Sequence, residues 1–515
     1  MPTLSDKLKL HSAEKAKYRR HNVLSVDGHA MLVSYKKGIQ AMLDLPASDP
    51  RNWFRHAFIH FLDCPHGNWW FPVWHRVYLY WFEKIIRELS EDPTFTLPYW
   101  DWSQYPDIPD SMFEGVLMPT HEEYRKYTKD IDTFTAFIQP DLQKYWDGMN
   151  AEQLSDMKNR NYNSFQDMWQ DMLGCFKGIC DVGNRAFAET EIARYQRITN
   201  PGLDDDTKAN ITSAEIENAL APQVFYSTDS TASFSSPETA SHSVPPSHGC
   251  FSSFEIKHNL VHNSIGGVGP LKPGPYANMA NFLSPVDPIF FLHHANIDRL
   301  WDVWARKQTK LRLETGPTGA NAAARYYDEQ FLFFFNQSAQ PVLPIPISYH
   351  DLDLLDYDYA PGTGENIIYT AKRINYNDPF LYEGESNGTT ASVNIPSKFL
   401  DAKNGTQKSL IVSVGFDRPA SDRNFDVLVN APQVTTSVTT SSPYYGGSIA
   451  FFGPSMSDMA MSSEAIFTIT LPRTLQIYRD VYTDDLATLT FRVVPSGYTG
   501  PVQPLTIKTL TVRAV

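Results

Sequence analysis

Six histidines in two clusters have the types and spacing to bind metal. The first cluster holds His60 and His66 in His60-Phe61-Leu62-Asp63-Cys64-Pro65-His66, then His75 at the end of Trp69-Trp70-Phe71-Pro72-Val73-Trp74-His75. The second holds His258-Asn259-Leu260-Val261-His262 and, after a Gly/Pro-rich loop, Phe290-Phe291-Leu292-His293-His294. Residues four apart share a helix face, so His258 and His262 can present both rings to one ion. No glutamate stands between them where a zinc-protease helix carries its general base. His293 and His294 point about 100° apart on a helix, so only one of them reaches the same ion. His56, one turn before His60, competes with it as first ligand. A lone HxxxH or HH is more often a satisfied core histidine. Here eight of the chain's 15 histidines, His56 included, fall in these windows among aromatic residues. Imidazole-only sites suit copper, zinc, iron or nickel.

Helices must hold these rings. Residues 69–90 are almost continuously apolar before ending in Glu83-Lys84-Ile85-Ile86-Arg87-Glu88-Leu89, which reads as a ligand helix. Residues 290–306 read as another, and 121–195 as further amphipathic helix. Residues 225–249, rich in Ser, Thr and Pro, read as a long surface loop without chemistry of its own. From about residue 390 the pattern changes. Val393–Ile395, Ser409–Val414, Phe425–Val429, Ile466–Leu471, Thr488–Val494 and Leu505–Leu510 read as short strands between turn residues. That density suggests a β-sandwich. The expected organisation is a mainly α domain over residues 1–370, a polar linker over 371–406, and an all-β sandwich over 407–515.

At 515 residues the chain exceeds one ordinary core. A net charge of -14 argues against nucleic acid or an anionic membrane surface as partner. No apolar run is long enough to span a bilayer. The start, Met1-Pro2-Thr3-Leu4-Ser5-Asp6-Lys7, lacks the apolar core of a signal peptide, so a soluble protein is expected, with an intracellular location favoured and export left open. Four cysteines are too few for a disulfide scaffold. Free thiols are expected at Cys175, Cys180 and Cys250, although one pair could bridge. Nothing here reads out the oligomeric state.

The segments His66-x8-His75-Arg76, Leu97-Pro98-Tyr99-Trp100-Asp101-Trp102, HNxVH at 258–262 and DPxFFLHHxxxDRLW at 287–301 together resemble the type-3 copper proteins. That family comprises tyrosinases, catechol oxidases and the functional units of molluscan haemocyanin. The likeness spans roughly residues 20–360. It implies a four-helix bundle holding two coppers, one on His60, His66 and His75, the other on His258, His262 and His294. His293, Asp298 and Arg299 then stand behind the ligands. Cys64 is either a buried, inert thiol or, as in fungal, plant and molluscan members, bonded through sulfur to a His66 ring carbon. Tyr357-Asp358-Tyr359 resembles the tyrosine motif that closes the catalytic domain in plant and molluscan members.

The resemblance implies an O2-dependent enzyme that oxidises o-diphenols to o-quinones and hydroxylates monophenols, with small phenols as partners. Glu255 and Asn259 would orient a water that takes the phenol proton; Glu255 could equally be an ordinary surface acid. Phe282 resembles a bulky gate residue, or simply packs its loop. The loop from Phe452 to Met461 resembles one that carries a plug residue in latent relatives. It names Met456, Met459 or a neighbour as the candidate plug, with the β-domain as the lid; otherwise these methionines merely pack the domain interface. Catechol oxidation without hydroxylation and haemocyanin-like oxygen binding are the alternatives. A di-iron site would need two ExxH motifs, and the first cluster has none. A zinc hydrolase would need an acidic base and fewer histidines.

Overall fold

The computed structural model describes residues 16–180, 198–244, 249–266, 278–376, 380–403, 405–417, 419, 424–432, 438–452, 464–480, 483–497 and 504–515. Five helices build the first core: α1 (Val26–Asp44), α2 (Trp53–Asp63), α3 (Phe71–Ser90), α4 (Ser253–Gly266) and α5 (Ile289–Leu311). The last four carry histidines of the two clusters. Asn52 starts α2 by accepting the N–H groups of Phe54 and Arg55. Pro72 lies in the first turn of α3, where its missing N–H costs nothing. Glu91, with φ 57, ends α3 in the left-handed region. Gly38 lets α1 press onto α3, since a Cβ there would meet Ile86 Cδ1 at 2.8 Å. Shorter helices at Glu122–Thr128, Ile131–Asp147, Ala151–Asn159 and Phe165–Cys180 fill the stretch read as amphipathic.

A polar knot locks this core. The short strands β1 (Tyr18–Arg20) and β5 (Tyr357–Tyr359) pair in parallel, with Arg20 opposite Tyr359. A hairpin of β3 (Phe334–Phe335) and β4 (Pro341–Val342) lies between them in sequence. Asp298 of α5 accepts from Arg76 Nε at 2.6 Å and from the Tyr357 and Tyr359 hydroxyls at 2.7 Å each. Arg20 reaches Glu83 at 2.8 Å and Asp298 at 3.4 Å. Arg299 donates to Asn296 Oδ1 and the Thr363 carbonyl. All these groups are buried, so the charges must be satisfied internally.

The second core is a β-sandwich. Its remaining strands are β2 (Gly249–Phe251), β6 (Leu381–Glu383), β7 (Glu385–Asn387), β8 (Thr390–Pro396), β9 (Leu410–Asp417), β10 (Asn424–Val429), β11 (Tyr445–Ala450), β12 (Glu464–Thr470), β13 (Leu486–Pro495) and β14 (Ile507–Ala514). Among the described residues they form two five-stranded sheets, in the orders β11-β10-β13-β8-β7 and β2-β12-β9-β14-β6. The stretch 371–406 is therefore not simply a linker. It carries β6, β7 and β8, and β8 pairs antiparallel with β13 along its length. Charge, Asn and Gly disguised β6 and β7 because they are mostly solvated, whereas β8, read as strand at Val393–Ile395, buries alternate residues. β2, from the helical part of the chain, pairs in parallel with β12.

Helix α4 serves both cores. It is buried along its whole length, and its residues sort by four-residue spacing. His258 and His262 face the other histidines, while Ile256 and Leu260 join the sandwich core. Asn259 and Asn263 meet the end of β11. No helix among the described residues is long and apolar enough to cross a membrane. Met456 and Met459 lie outside the described residues, as do the side chains of Cys175, Cys180 and Cys250.

Candidate metal centre

The six imidazoles converge from α2, the loop after it, α3, α4 and α5. In the first set, the ring centroids of His60, His66 and His75 lie 5.4–5.5 Å apart. Their Nε2 atoms are buried and lack hydrogen-bond partners among the described residues. In the second set, His294 Nε2 lies 3.0 Å from His262 Nε2 and 3.3 Å from His258 Nε2. The sets face each other: His75 stacks on His294 at 4.4 Å and 13°, and His66 on His258 at 5.5 Å and 30°.

The opposite ring nitrogens are mostly tied back. His60 Nδ1 donates to the Phe282 carbonyl at 2.7 Å, His75 to Phe71 at 2.8 Å, and His262 to Met279 at 2.7 Å. His258 Nδ1 lies 2.8 Å from Asn259 Oδ1, and His66 Nδ1 lies 3.4 Å from Cys64 Sγ. This arrangement leaves a lone pair on the inward nitrogen, as a metal-ligating histidine requires. Burial drives His75 and His262 down to about 3. Burial first, and then neighbouring imidazoles, hold His60, His66, His258 and His294 well below the ordinary value. The rings are neutral. Stranding buried acceptors costs free energy unless a ligand completes them, so the donor set fits two metal ions.

His56 is set apart. Its ring stacks on Tyr78 at 4.7 Å, and burial takes it to about 3. His293 lies beside the second set, 4.6 Å from His262 between ring centroids, and neither of its nitrogens has a partner among the described residues. Asp298 and Arg299 stand behind α5 in the polar knot. Glu255 is no surface acid. It is fully buried, its Oε1 accepting from the Gly67 N–H at 2.7 Å and its Oε2 from the Ser236 hydroxyl at 2.6 Å. Burial raises it to about 8 against the pull of those donors. Asn259, four residues further along α4, presents its Oδ1 to His258 Nδ1 at 2.8 Å. Phe282 is half-buried against His66, 5.8 Å between ring centroids.

Two features escaped the sequence reading. Phe452 is 5% exposed and reaches in from the β-domain, with ring centroids 4.7 Å from His66, 4.6 Å from His262 and 5.6 Å from Phe282. It covers the face a planar substrate would use. The cue was the paired Phe451-Phe452 directly after a strand, which the nearby methionines overshadowed. The second feature is in 225–249, whose reading as a surface loop is overturned. Phe234, Ser235, Ser236, Thr239, His242 and Ser243 are buried. His242 bridges Asp63 at 2.8 Å and Glu329 at 2.7 Å, and Asp63 accepts the Trp74 indole N–H at 2.7 Å. Polar composition hid a buried ion-pair strut next to Cys64.

A helical bundle with two facing sets of histidines, closed by a β-sandwich, forms a candidate metal centre with a built-in cover. The family model described as the common central domain of tyrosinase matches residues 50–307, half of the chain, and the chain belongs to that family. It is 26% identical over 316 residues to polyphenol oxidase II, chloroplastic, of Ipomoea batatas, covering 58% of this chain and 43% of that protein. It is 28% identical over 315 residues to polyphenol oxidase, chloroplastic, of Vitis vinifera, covering 58% and 41%. The chain thus spans less than half the length of these relatives. The structure of latent apple tyrosinase shares the fold with a TM-score of 0.53 at 20% identity, covering 97% of this chain and 98% of that one. The preference for an intracellular location is overturned, because these relatives are named chloroplastic. It rested on a missing apolar signal core, which import into a plastid does not use.

Proposed function

We propose that this chain is a copper-dependent oxidase of small phenols, held latent by its own β-domain. The observation that carries the reading is the convergence of six imidazoles, five buried and His66 half-buried, with no carboxylate among them and Cys64 as the one thiol beside them among the described residues. In this reading His60, His66 and His75 hold one copper, and His258, His262 and His294 the other. When bound, the copper pair supplies two-electron exchange between O2 and a phenol. The protein sets the spacing, keeps the cavity dry and orients the ring. A catechol would lie over His258 and His262, in the place Phe452 fills, with Phe282 along one edge. Phe452, at the head of the loop that carries Met456 and Met459, is then the plug.

Ortho-hydroxylation of monophenols belongs to the same reading. Burial raises the Glu255 carboxyl to about 8, nearer a phenol than an ordinary glutamate, so it takes a proton only in its ionised form and hydroxylation should rise as pH climbs toward 8. Its oxygens retain free lone pairs beyond the two bonds they accept. Glu255→Gln is expected to lower monophenol turnover more than catechol turnover; equal loss would make Glu255 a purely structural brace. Cys64 is proposed to join His66 through a thioether, with its thiol hydrogen and a ring hydrogen removed at the expense of O2. An intact mass lower by two hydrogens, and a Cys64 that resists alkylation, are expected of copper-loaded protein.

The deciding experiment combines metal analysis with oxygen uptake on 4-methylcatechol. Two coppers per chain, low uptake in the intact protein, and a rise of at least about tenfold in Phe452→Ala are expected, tenfold being some 1.4 kcal/mol of relieved occlusion. Stoichiometric zinc or iron would overturn the metal assignment. Unchanged uptake in Phe452→Ala would overturn the plug.

A further inference from the structure

The β-domain touches the metal centre at a second point, through hydrogen bonds. Asn259 directly follows His258 on α4. Its Oδ1 faces His258 Nδ1 at 2.8 Å, and its Nδ2 donates to the Ala450 carbonyl at 2.9 Å. One turn further on, Asn263 Nδ2 donates to the Phe451 carbonyl and to Asn424 Oδ1, each at 2.8 Å. Ala450 and Phe451 are the two residues before Phe452. The backbone that delivers the plug is thus clamped by two carboxamides of the helix that carries His258 and His262. Asn259, Asn263, Ala450 and Phe451 are all buried, so water does not compete for these bonds.

The chemistry of a carboxamide gives this clamp a direction. One end only accepts and the other only donates. The Ala450 carbonyl can only accept, so it requires the NH2 end of Asn259. That leaves the oxygen end for His258, whose Nδ1 must donate, and the lone pair then sits on Nε2, pointing inward. A reversed amide would set two oxygens against each other at Ala450. It would also offer His258 a donor, drawing the lone pair to the wrong nitrogen.

We infer that Asn259 is a positioning residue through which the Ala450 carbonyl of the β-domain fixes the metal-binding face of His258. Closure of the lid and readiness of the second metal set are one hydrogen-bonded unit. Opening the lid frees the Asn259 amide to turn toward the emptied substrate space.

The inference rests on the copper reading, and full-length variants keep the two separable. Three are compared by copper content after a fixed chelator challenge and by amide hydrogen exchange of residues 445–452. Asn263→Leu removes only lid bonds: faster exchange, by about five- to tenfold as for one lost hydrogen bond, with copper retained. Asn259→Leu removes both contacts: faster exchange, and loss of one of two coppers. Asn259→Asp keeps an acceptor for His258 but cannot donate to Ala450: faster exchange, with copper retained. Equal copper loss in the Asp and Leu variants, or unchanged exchange in both, would overturn the inference. Wild-type protein that holds no copper would overturn the copper reading instead. Should the Leu variant not fold, the Asp variant still decides, because copper loss there contradicts the proposal.

Discussion

The histidines show how much one residue's neighbours decide. Their clustering was legible in the chain because two dense sets of histidines recur among aromatic residues, which a lone HxxxH does not supply. The choice of His60 over His56 rested on the family resemblance alone, since both lie on one face of α2, one turn apart. Packing separates them: Tyr78 takes the His56 ring, while the Phe282 carbonyl turns His60 inward. His60→Ala should lose one copper and all oxidation, whereas His56→Ala should keep two coppers; metal analysis of both variants checks this. His242 gives a different kind of prediction. Carboxylates on both sides overcome its burial and raise it from 6.5 to about 10. The folded state therefore binds this proton more tightly than the unfolded chain does. Its stabilising effect is full below about pH 6.5 and fades as pH climbs through about 10. Thermal unfolding followed from pH 6 to 10.5 should show the midpoint falling over that window. In His242→Gln this component of the slope should vanish, and a slope equal to wild type would remove His242 from the account.

Elements with strong periodicity declared themselves. Helices over 69–90 and 290–306 appear at Phe71–Ser90 and Ile289–Leu311. The strand alternation of 409–414, 425–429 and 488–494 appears as β9, β10 and β13. What stayed hidden is any element whose partner is far away in sequence. α4 has no exposed face, and contact with two cores explains that. The polar knot is similar: Arg20, Arg76, Asp298, Tyr357 and Tyr359 come from four elements, and the sequence marks only the tyrosines and Asp298 as notable. Removing one partner of such a buried set strands the others. Asp298→Ala should cost about 3–5 kcal/mol, seen as a lower urea midpoint. Tyr359→Phe deletes one hydrogen bond to a charged group and should cost about 1.5–3 kcal/mol. A loss under about 1 kcal/mol for Asp298→Ala would mean that α5 is held by its apolar packing alone.

Across the whole molecule, the chain announced a helical part followed by a β part, but the border between them is not a point along the sequence. Composition divides the chain near 371–406 because hydropathy is read locally, whereas burial is not. α4 supplies apolar residues to the sandwich, β6 and β7 begin it inside the stretch read as a linker, and β2 crosses in the other direction. β2 carries the most practical consequence. A peptide-bond cut between the two parts and the departure of the second part are separate events, because after the cut β12 still holds β2 as its neighbour. Proteolysis should yield a nicked particle that runs as one species on native gel filtration and as two bands on a denaturing gel. Activity should stay low until detergent or mild denaturant parts the pieces. Parting them bares the edge of β12, and bare strand edges seek other strands. The freed sandwich should therefore self-associate or precipitate, so the catalytic piece alone is expected to stay in solution. Maturation would then consume its own inhibitor, and the step could not be run backwards.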